Sequence, residues 1–220
     1  MFNNCDCNSN GELLFYNLIK GSINIIFDVG SKNNSEYLDF NGEVHYFDPV
    51  ENFISELKNK PNNNLKSFYN NFGLSYETKD LYYYPKYESF YDRINSCKIS
   101  DEANKTILSV KKSNDYIIQN NIKSIDFLKI DTEGYELNVI KGFEDFIINI
   151  NIIQFEYGGT FLDNNYKLID VIDYLTSYGF HKFAYLTPVG LSLITDFSDH
   201  YQYCNIVCLN KNLENYPFNF

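Results

Sequence analysis

The chain alternates between short apolar runs and segments whose apolar residues recur every three to four positions. That alternation predicts strand–helix–strand units packed around a parallel sheet. Residues 24–30 (Asn-Ile-Ile-Phe-Asp-Val-Gly) are a continuous apolar run that stops at an acid and a glycine, as a strand buried on both faces does. Residues 43–48 predict a second strand, punctuated by Pro49. Residues 51–58 follow with Phe53, Ile54 and Leu57 at helical spacing. A third strand is expected over 65–69, with a hairpin of 73–75 and 79–84 on its edge. Residues 85–104 have no firm period and read as a mobile, substrate-facing loop. Ser113 is placed as the cap of a short helix running to Asn120. Strands over 125–131 and 151–156 flank a helix over 135–143. Residues 168–178 set Leu168, Ile169, Ile172 and Leu175 on a helix closed by Gly179 in the left-handed C′ position. Two last strands, 181–186 and 205–209, complete the sheet. Upstream, residues 12–20 predict a helix, and the Asn-rich residues 1–10 are expected to fray. No repeat or long linker breaks the pattern. All 220 residues are therefore assigned to one α/β domain, with residues 1–22 its tail and first helix.

Composition changes this picture in three places. Tyr 20 and Phe 19 stand against Trp 0, beside abundant Asn, Ile and Lys, the usage of an AT-rich genome. A single tyrosine is therefore no marker of a site, and a sugar-stacking module built on tryptophan is disfavoured. The charge balance of 18 basic and 29 acidic residues, net −11, repels phosphate backbones and anionic membrane surfaces, so neither nucleic acid nor membrane is expected as a partner. The five cysteines (Cys5, Cys7, Cys97, Cys204, Cys208) are odd in number and follow no recognisable signal peptide, so they read as free thiols of a cytoplasmic protein. Cys5-x-Cys7 lacks zinc-knuckle spacing, and Cys204 and Cys208 straddle a strand. No apolar run approaches the ~20 residues that span a bilayer.

In an open parallel sheet, ligands bind beyond the carboxyl ends of the strands. Four predicted strands end in an acid there: Asp28, Asp48, Asp131 and Glu156. Acids at strand tips suit a ligand with hydroxyls or a cation. Asp28-Val-Gly30-Ser31 begins a turn, expected to lead into a helix, in which glycine allows close backbone approach. Asp48 falls twenty residues after Asp28, the spacing that lets an acid accept ribose hydroxyls in an adenosine-binding βαβ unit. The G-x-G-x-x-G fingerprint and the P-loop are both absent, which argues against nicotinamide, flavin and nucleoside triphosphate.

Three blocks make the chain recognisable: Ile26-Phe-Asp-Val-Gly30, His45-Tyr-Phe-Asp-Pro49, and Leu128-Lys-Ile-Asp-Thr-Glu-Gly-Tyr-Glu136 with Val139-Ile-Lys-Gly142. Together they resemble the FkbM-type methyltransferase family, from about Ile23 to Phe183. The resemblance implies a Rossmann-like class I methyltransferase fold, with a seven-stranded, mostly parallel sheet and one antiparallel strand near the C-terminal end. It implies S-adenosylmethionine as donor and O-methylation of a glycan or small-molecule hydroxyl. Asp28, Gly30 and Ser31 would lie at the methionine moiety, Asp48 at the ribose, and Asn70 or Asn71 near the adenine. Asp131 and Glu133 would face the transfer centre and Glu156 the acceptor. Two departures stand out: Lys32, and Asn34 where the family has a second glycine. Asn tolerates positive φ best among non-glycine residues, so Asn34 is expected in that conformation. These departures alone favour the alternative of a non-catalytic scaffold.

For the chemistry, a carboxylate base adds about 10²–10⁴-fold to what positioning supplies. Asp131 or Glu133 is the expected base, since two nearby carboxylates raise the pKa of one of them. A divalent cation shared with Glu156 is the alternative, because an all-oxygen site suits magnesium or manganese. His45 and His181 read as structural, and His200 as a residue of a polar segment near the pocket.

Overall fold

A computed structural model of the chain describes residues 2–90 and 105–213. Its strands are β1 (Ile25–Val29), β2 (Glu43–Phe47), β3 (Lys66–Asn70), β4 (Gly73–Ser75), β5 (Lys79–Tyr83), β6 (Thr106–Lys112), β7 (Ile125–Ile130), β8 (Ile150–Tyr157), β9 (Phe180–Thr187), β10 (Gly190–Leu193) and β11 (Cys204–Asn210). Its helices are α1 (Glu12–Ile19), α2 (Glu51–Lys58), α3 (Ser113–Gln119), α4 (Glu136–Gly142), α5 (Gly159–Asp163) and α6 (Leu168–Ser177).

The apolar runs become the middle of the sheet. Eight strands pair in the order β10-β9-β11-β8-β7-β1-β2-β3. β1, β2, β3, β7 and β8 run parallel, and β11 is antiparallel to both β8 and β9. This is the expected mostly parallel sheet, with eight strands instead of seven. The extra strand, β10, is short and folds back on β9 through Thr187 and Gly190. It carries too few residues to show a period of its own.

Because the central strands are covered on both faces, their side chains feed two cores. One packs α3, α4 and α6 through Ile117, Val139 and Leu175 onto Phe27, Leu128 and Ile153. The other packs α1 and α2 through Phe15, Ile19 and Leu57 onto Ile26, Val44 and Phe127. Each such side chain contributes roughly 1.5–3 kcal/mol on burial. His45 is buried between a Tyr116 hydroxyl at 2.7 Å and Glu43 at 3.0 Å, a structural histidine.

Four expectations need correction. Strands β4 and β5 do not form a hairpin on the edge of β3. Both pair with β6, in a separate three-stranded sheet ordered β4-β6-β5. The unpredicted β6 is the missing partner, hidden because only Val110 within it is fully buried. No helix follows β1 either. Residues 31–42 cross to β2 in turns, since Asn33, Asn34 and Asp39 favour local side-chain-to-backbone bonding while Tyr37 and Phe40 anchor the crossing in the core. Ser113 is the first helical residue of α3, preceded by Lys112 at the cap, and its hydroxyl donates to the Val139 carbonyl at 3.2 Å. Finally, residues 2–10 are tied down instead of frayed. Asn3 and Tyr203 exchange two hydrogen bonds, and the buried Asn10 amide donates to Glu12 at 2.8 Å.

Of the predicted loop over 85–104, residues 91–104 lie outside the described residues. Tyr84 and Ser89 bridge across the described part. Among the described residues no helix is long and apolar enough to cross a membrane.

Candidate active site

Beyond the carboxyl ends of β1, β2 and β7 lies a cavity, where ligands of open parallel sheets bind. Gly30, Asp48 and Asp131 bring backbone and charge to it; Phe53, Leu74 and Tyr135 give apolar walls. Gly30 is held by its N–H donating to the Phe47 carbonyl at 2.9 Å, with φ +83°. A Cβ on Gly30 would lie 1.8 Å from the Asp131 carbonyl oxygen. Only glycine lets the turns after β1 and β7 meet. At the cavity mouth the Lys32 ammonium pairs with Glu88 at 2.5 Å and lies 3.9 Å from Glu133.

Asp48 is buried just past β2. One carboxylate oxygen accepts the Lys32 N–H at 3.0 Å and the other the Val50 N–H at 2.9 Å. Each oxygen keeps a lone pair for a ligand hydroxyl. Burial outweighs these bonds and pushes its pKa up to about 6.

Several predicted donor-site residues lie elsewhere. Asp28 does not line the cavity: it points to the opposite face of the sheet, where it accepts the Ser35 hydroxyl at 2.7 Å. Burial there pushes its pKa up to about 7. Ser31 is buried and ties the turn to Phe47 through its N–H at 3.1 Å. Asn70 donates to the Tyr46 carbonyl and Asn71 to the Pro49 carbonyl, both at 3.0 Å, so they brace strand ends instead of lining the cavity. The left-handed residue of the first turn is Lys32, with φ 49°, and not Asn34. Asn34 is exposed and accepts the Lys60 ammonium at 2.8 Å. His200 bonds the Tyr185 hydroxyl at 3.1 Å and packs on Phe2, outside the cavity lining.

The acidic motif behaves as expected of a turn. β7 ends at Ile130, paired with Phe155, which sets Asp131 beside Glu156. Glu133 follows with φ 53° and Gly134 with φ +98°. Carboxylate oxygens of Asp131, Glu133 and Glu156 all lie within 4.8 Å of one another. Glu136 makes this possible. Its Oε1 accepts the Thr132 N–H, the Thr132 hydroxyl and the Gly134 N–H at 3.0–3.1 Å, folding the turn around one buried carboxyl. That carboxyl is pushed up to about 7 by burial. The two closest acids are driven apart. Glu156 is pushed well above the usual carboxylate range by burial and by the Asp131 charge. Asp131 is held well below it, because Lys129 and a hydrogen bond from Glu156 outweigh burial.

The sequence reading missed three of these parts: Glu136 as the keystone of the turn, the Lys32–Glu88 pair at the mouth, and Lys129. Only Lys129 had a visible signal, a lone cation in the apolar run Ile125-Asp-Phe-Leu-Lys-Ile130.

The donor set suits an adenosine carrying a charged amino-acid tail. Phe53, Leu74 and Tyr135 offer faces for a flat base, Asp48 offers acceptors for hydroxyls, and Lys32 matches a carboxylate. Sheet order and site together define a class I methyltransferase. Residues 28–182 match the methyltransferase FkbM domain, and the chain belongs to that family. It is therefore an S-adenosylmethionine-dependent methyltransferase. Among curated proteins, none matches the sequence. Among solved structures the chain is similar to the precorrin-8W decarboxylase of Methanobacterium thermoautotrophicum, at 14% identity and TM-score 0.43, covering 90% of this chain and 88% of the other. It is also similar to the N-terminal domain of human METTL16, at 11% identity and TM-score 0.44, covering 89% and 67%. The plantazolicin methyltransferase BpumL, in complex with SAH, shares 10% identity at TM-score 0.42, covering 90% and 80%. At these values the likeness is distant.

Proposed function

We propose that the enzyme methylates a hydroxyl oxygen of a sugar or other small-molecule acceptor, with Asp131 receiving the proton. The observation that carries this reading is Asp131 at the rim of the cavity, its carboxylate within 4.8 Å of those of Glu133 and Glu156 and accepting from the Lys129 ammonium at 3.1 Å. S-adenosylmethionine, when bound, supplies an electrophilic methyl on a sulfonium whose sulfur leaves as a thioether. Asp131 accepts the hydrogen bond of the acceptor hydroxyl, aligns its oxygen, and takes the proton as the new carbon–oxygen bond forms. Glu156, protonated, donates to Asp131 or to a second acceptor oxygen. Glu133 borders the same space, and its pairing distance to Lys32 links the acceptor side to the cavity mouth. Asp48 holds the ribose and Lys32 the donor carboxylate. The acidic surroundings favour a neutral acceptor over nucleic acid. The scaffold alternative loses its footing at Asn34, which sits in the solvent with an ordinary φ.

Asp131→Asn tests this reading. It keeps the shape and removes the anion, so turnover of a hydroxyl acceptor should fall about a hundredfold while donor affinity stays within a few-fold. Tritium-methyl transfer to a panel of glycans and small alcohols supplies the acceptor, and calorimetry supplies the donor affinity. A chelator should leave the wild-type rate unchanged, because Lys129 already provides the cation beside Asp131. Chelator inhibition reversed by magnesium would turn the three acids into ligands. Full turnover in Asp131→Asn would move the base to Glu156.

A further inference from the structure

Lys129 is the penultimate residue of β7, between Leu128 and Ile130, with its side chain only 8% exposed. Such a position in a parallel sheet covered on both faces belongs to apolar residues. The register places it between Asp28 of β1 and Gln154 of β8. Its Nζ donates to Asp131 Oδ2 at 3.1 Å and lies 4.0 Å from Asp28 Oδ1. Resting on the reading of Asp131 as the base, we propose that Lys129 is a positioning residue: its ammonium selects Asp131 as the ionised member of the Asp131–Glu156 pair and leaves the shared proton on Glu156.

The groups facing this ammonium come from every element packed on it. Asp28 approaches from β1, Glu12 from α1, Tyr37 from the turns after β1, and Asp131 from its own strand end. Asp28 gives Oδ2 to the Ser35 hydroxyl and turns an otherwise unpartnered Oδ1 toward the ammonium at 4.0 Å, beyond hydrogen-bond reach, and Glu12 Oε1 accepts the amides of Asn10 and Asn205 at 2.8 and 2.6 Å. Both are pushed up by burial. That leaves Asp131 as the acid in direct hydrogen-bond contact with the ammonium. The acids together hold Lys129 charged against its burial. Asp131 in turn faces Glu156, Glu133 and Glu136 as like charges and Lys32 as a more distant cation. Two carboxyls with oxygens within 4.8 Å of one another do not ionise equally, and a fixed cation beside one of them decides which keeps the charge. Without Lys129 the proton would be divided between Asp131 and Glu156, and the anion at the rim would exist for only part of the time.

Carbon-13 carboxyl titration of the donor-free wild-type protein reads this directly, with each signal assigned by its loss in Asp131→Asn or Glu156→Gln. Asp131 should show no titration down to the acid limit of the folded state, and Glu156 should remain protonated at neutral pH. In Lys129→Met, Asp131 should titrate within the ordinary carboxylate range. With saturating donor, the Met variant should then lose rate on acidification, about tenfold for each pH unit below that new pKa, where wild type stays level. An ionised Glu156 at neutral pH, or an ordinary Asp131 titration in wild type, overturns the proposal even if the Met variant does not fold. The two readings fail separately. Titrations as expected with full turnover in Asp131→Asn would keep Lys129's role and remove the base; ordinary titrations with a hundredfold loss would do the reverse.

Discussion

Asp48 shows how one carboxyl serves both turn and ligand. Its two oxygens hold the Lys32 and Val50 N–H groups, and their remaining lone pairs face the donor space. The folded pKa of about 6 lies above the ordinary 3.8 of an aspartate, so ionisation costs stability as pH rises between the two. Ligand hydroxyls need the ionised form. Donor affinity, measured by calorimetry, should therefore weaken as pH falls through about 6. Asp48→Asn should bind about tenfold or more weakly and lose that step. A pH-independent affinity in wild type would remove Asp48 from the ribose. The sequence made Asp48 legible because its identity and spacing suffice. It misplaced Asp28, since strand alternation sends alternate side chains to opposite faces and the spacing alone does not say which face holds the ligand. It misplaced the strained turn position too. Family spacing drew attention to Asn34, while the backbone turns left-handed two residues earlier, at Lys32.

At the scale of elements, the turn between β7 and α4 is tightly constrained. Gly134 combines φ +98° with a position where a Cβ would meet the Thr160 carbonyl oxygen of α5 at 2.6 Å. Gly134→Ala should cost more than the roughly 1–2 kcal/mol of a left-handed residue, because the α5 backbone must also give way. Urea denaturation would register this, and an unchanged midpoint would mean that the turn relaxes freely. The sequence showed this turn well: a glycine between glutamates, at the end of an apolar run, has few other readings. The strands β6 and β10 stayed hidden for the opposite reason. They lie outside the main cores, and their mostly exposed residues leave no periodic trace.

The whole molecule is held across the sheet by its first helix. Phe15 packs edge-on to Phe127 with ring centroids 6.1 Å apart, and the Tyr16 hydroxyl donates to Asp39 at 2.8 Å. Glu12 accepts from Asn205 of β11, tying the start of the chain to its last strand. Phe15→Ala should lower global stability by about 3–5 kcal/mol in one cooperative transition. A separate early transition, with the main one unmoved, would make the N-terminal segment an appendage. The tail was unreadable beforehand because its residues are polar. Here Asn3 pairs with the distant Tyr203 while the Asn4, Asn8 and Asn10 amides bond Ser9, Asp6 and Glu12 nearby, pairings that composition does not disclose.

The small β4-β6-β5 sheet has a consequence for how such an enzyme diversifies. Tyr83 at the end of β5 is paired with Thr106 at the start of β6, so the chain leaves and re-enters the body at one gate. Whatever length is spliced between those two residues meets the same fixed ends. Closing a connection twice as long costs only about 0.6 kcal/mol more. The described start of that connection is tied to the site: Glu88 pairs with Lys32, and the Ser89 hydroxyl donates to the Glu133 carbonyl at 2.7 Å. Chain length can therefore change between these fixed ends at little entropic cost, provided that Glu88 and Ser89 keep their places against the turns after β1 and β7.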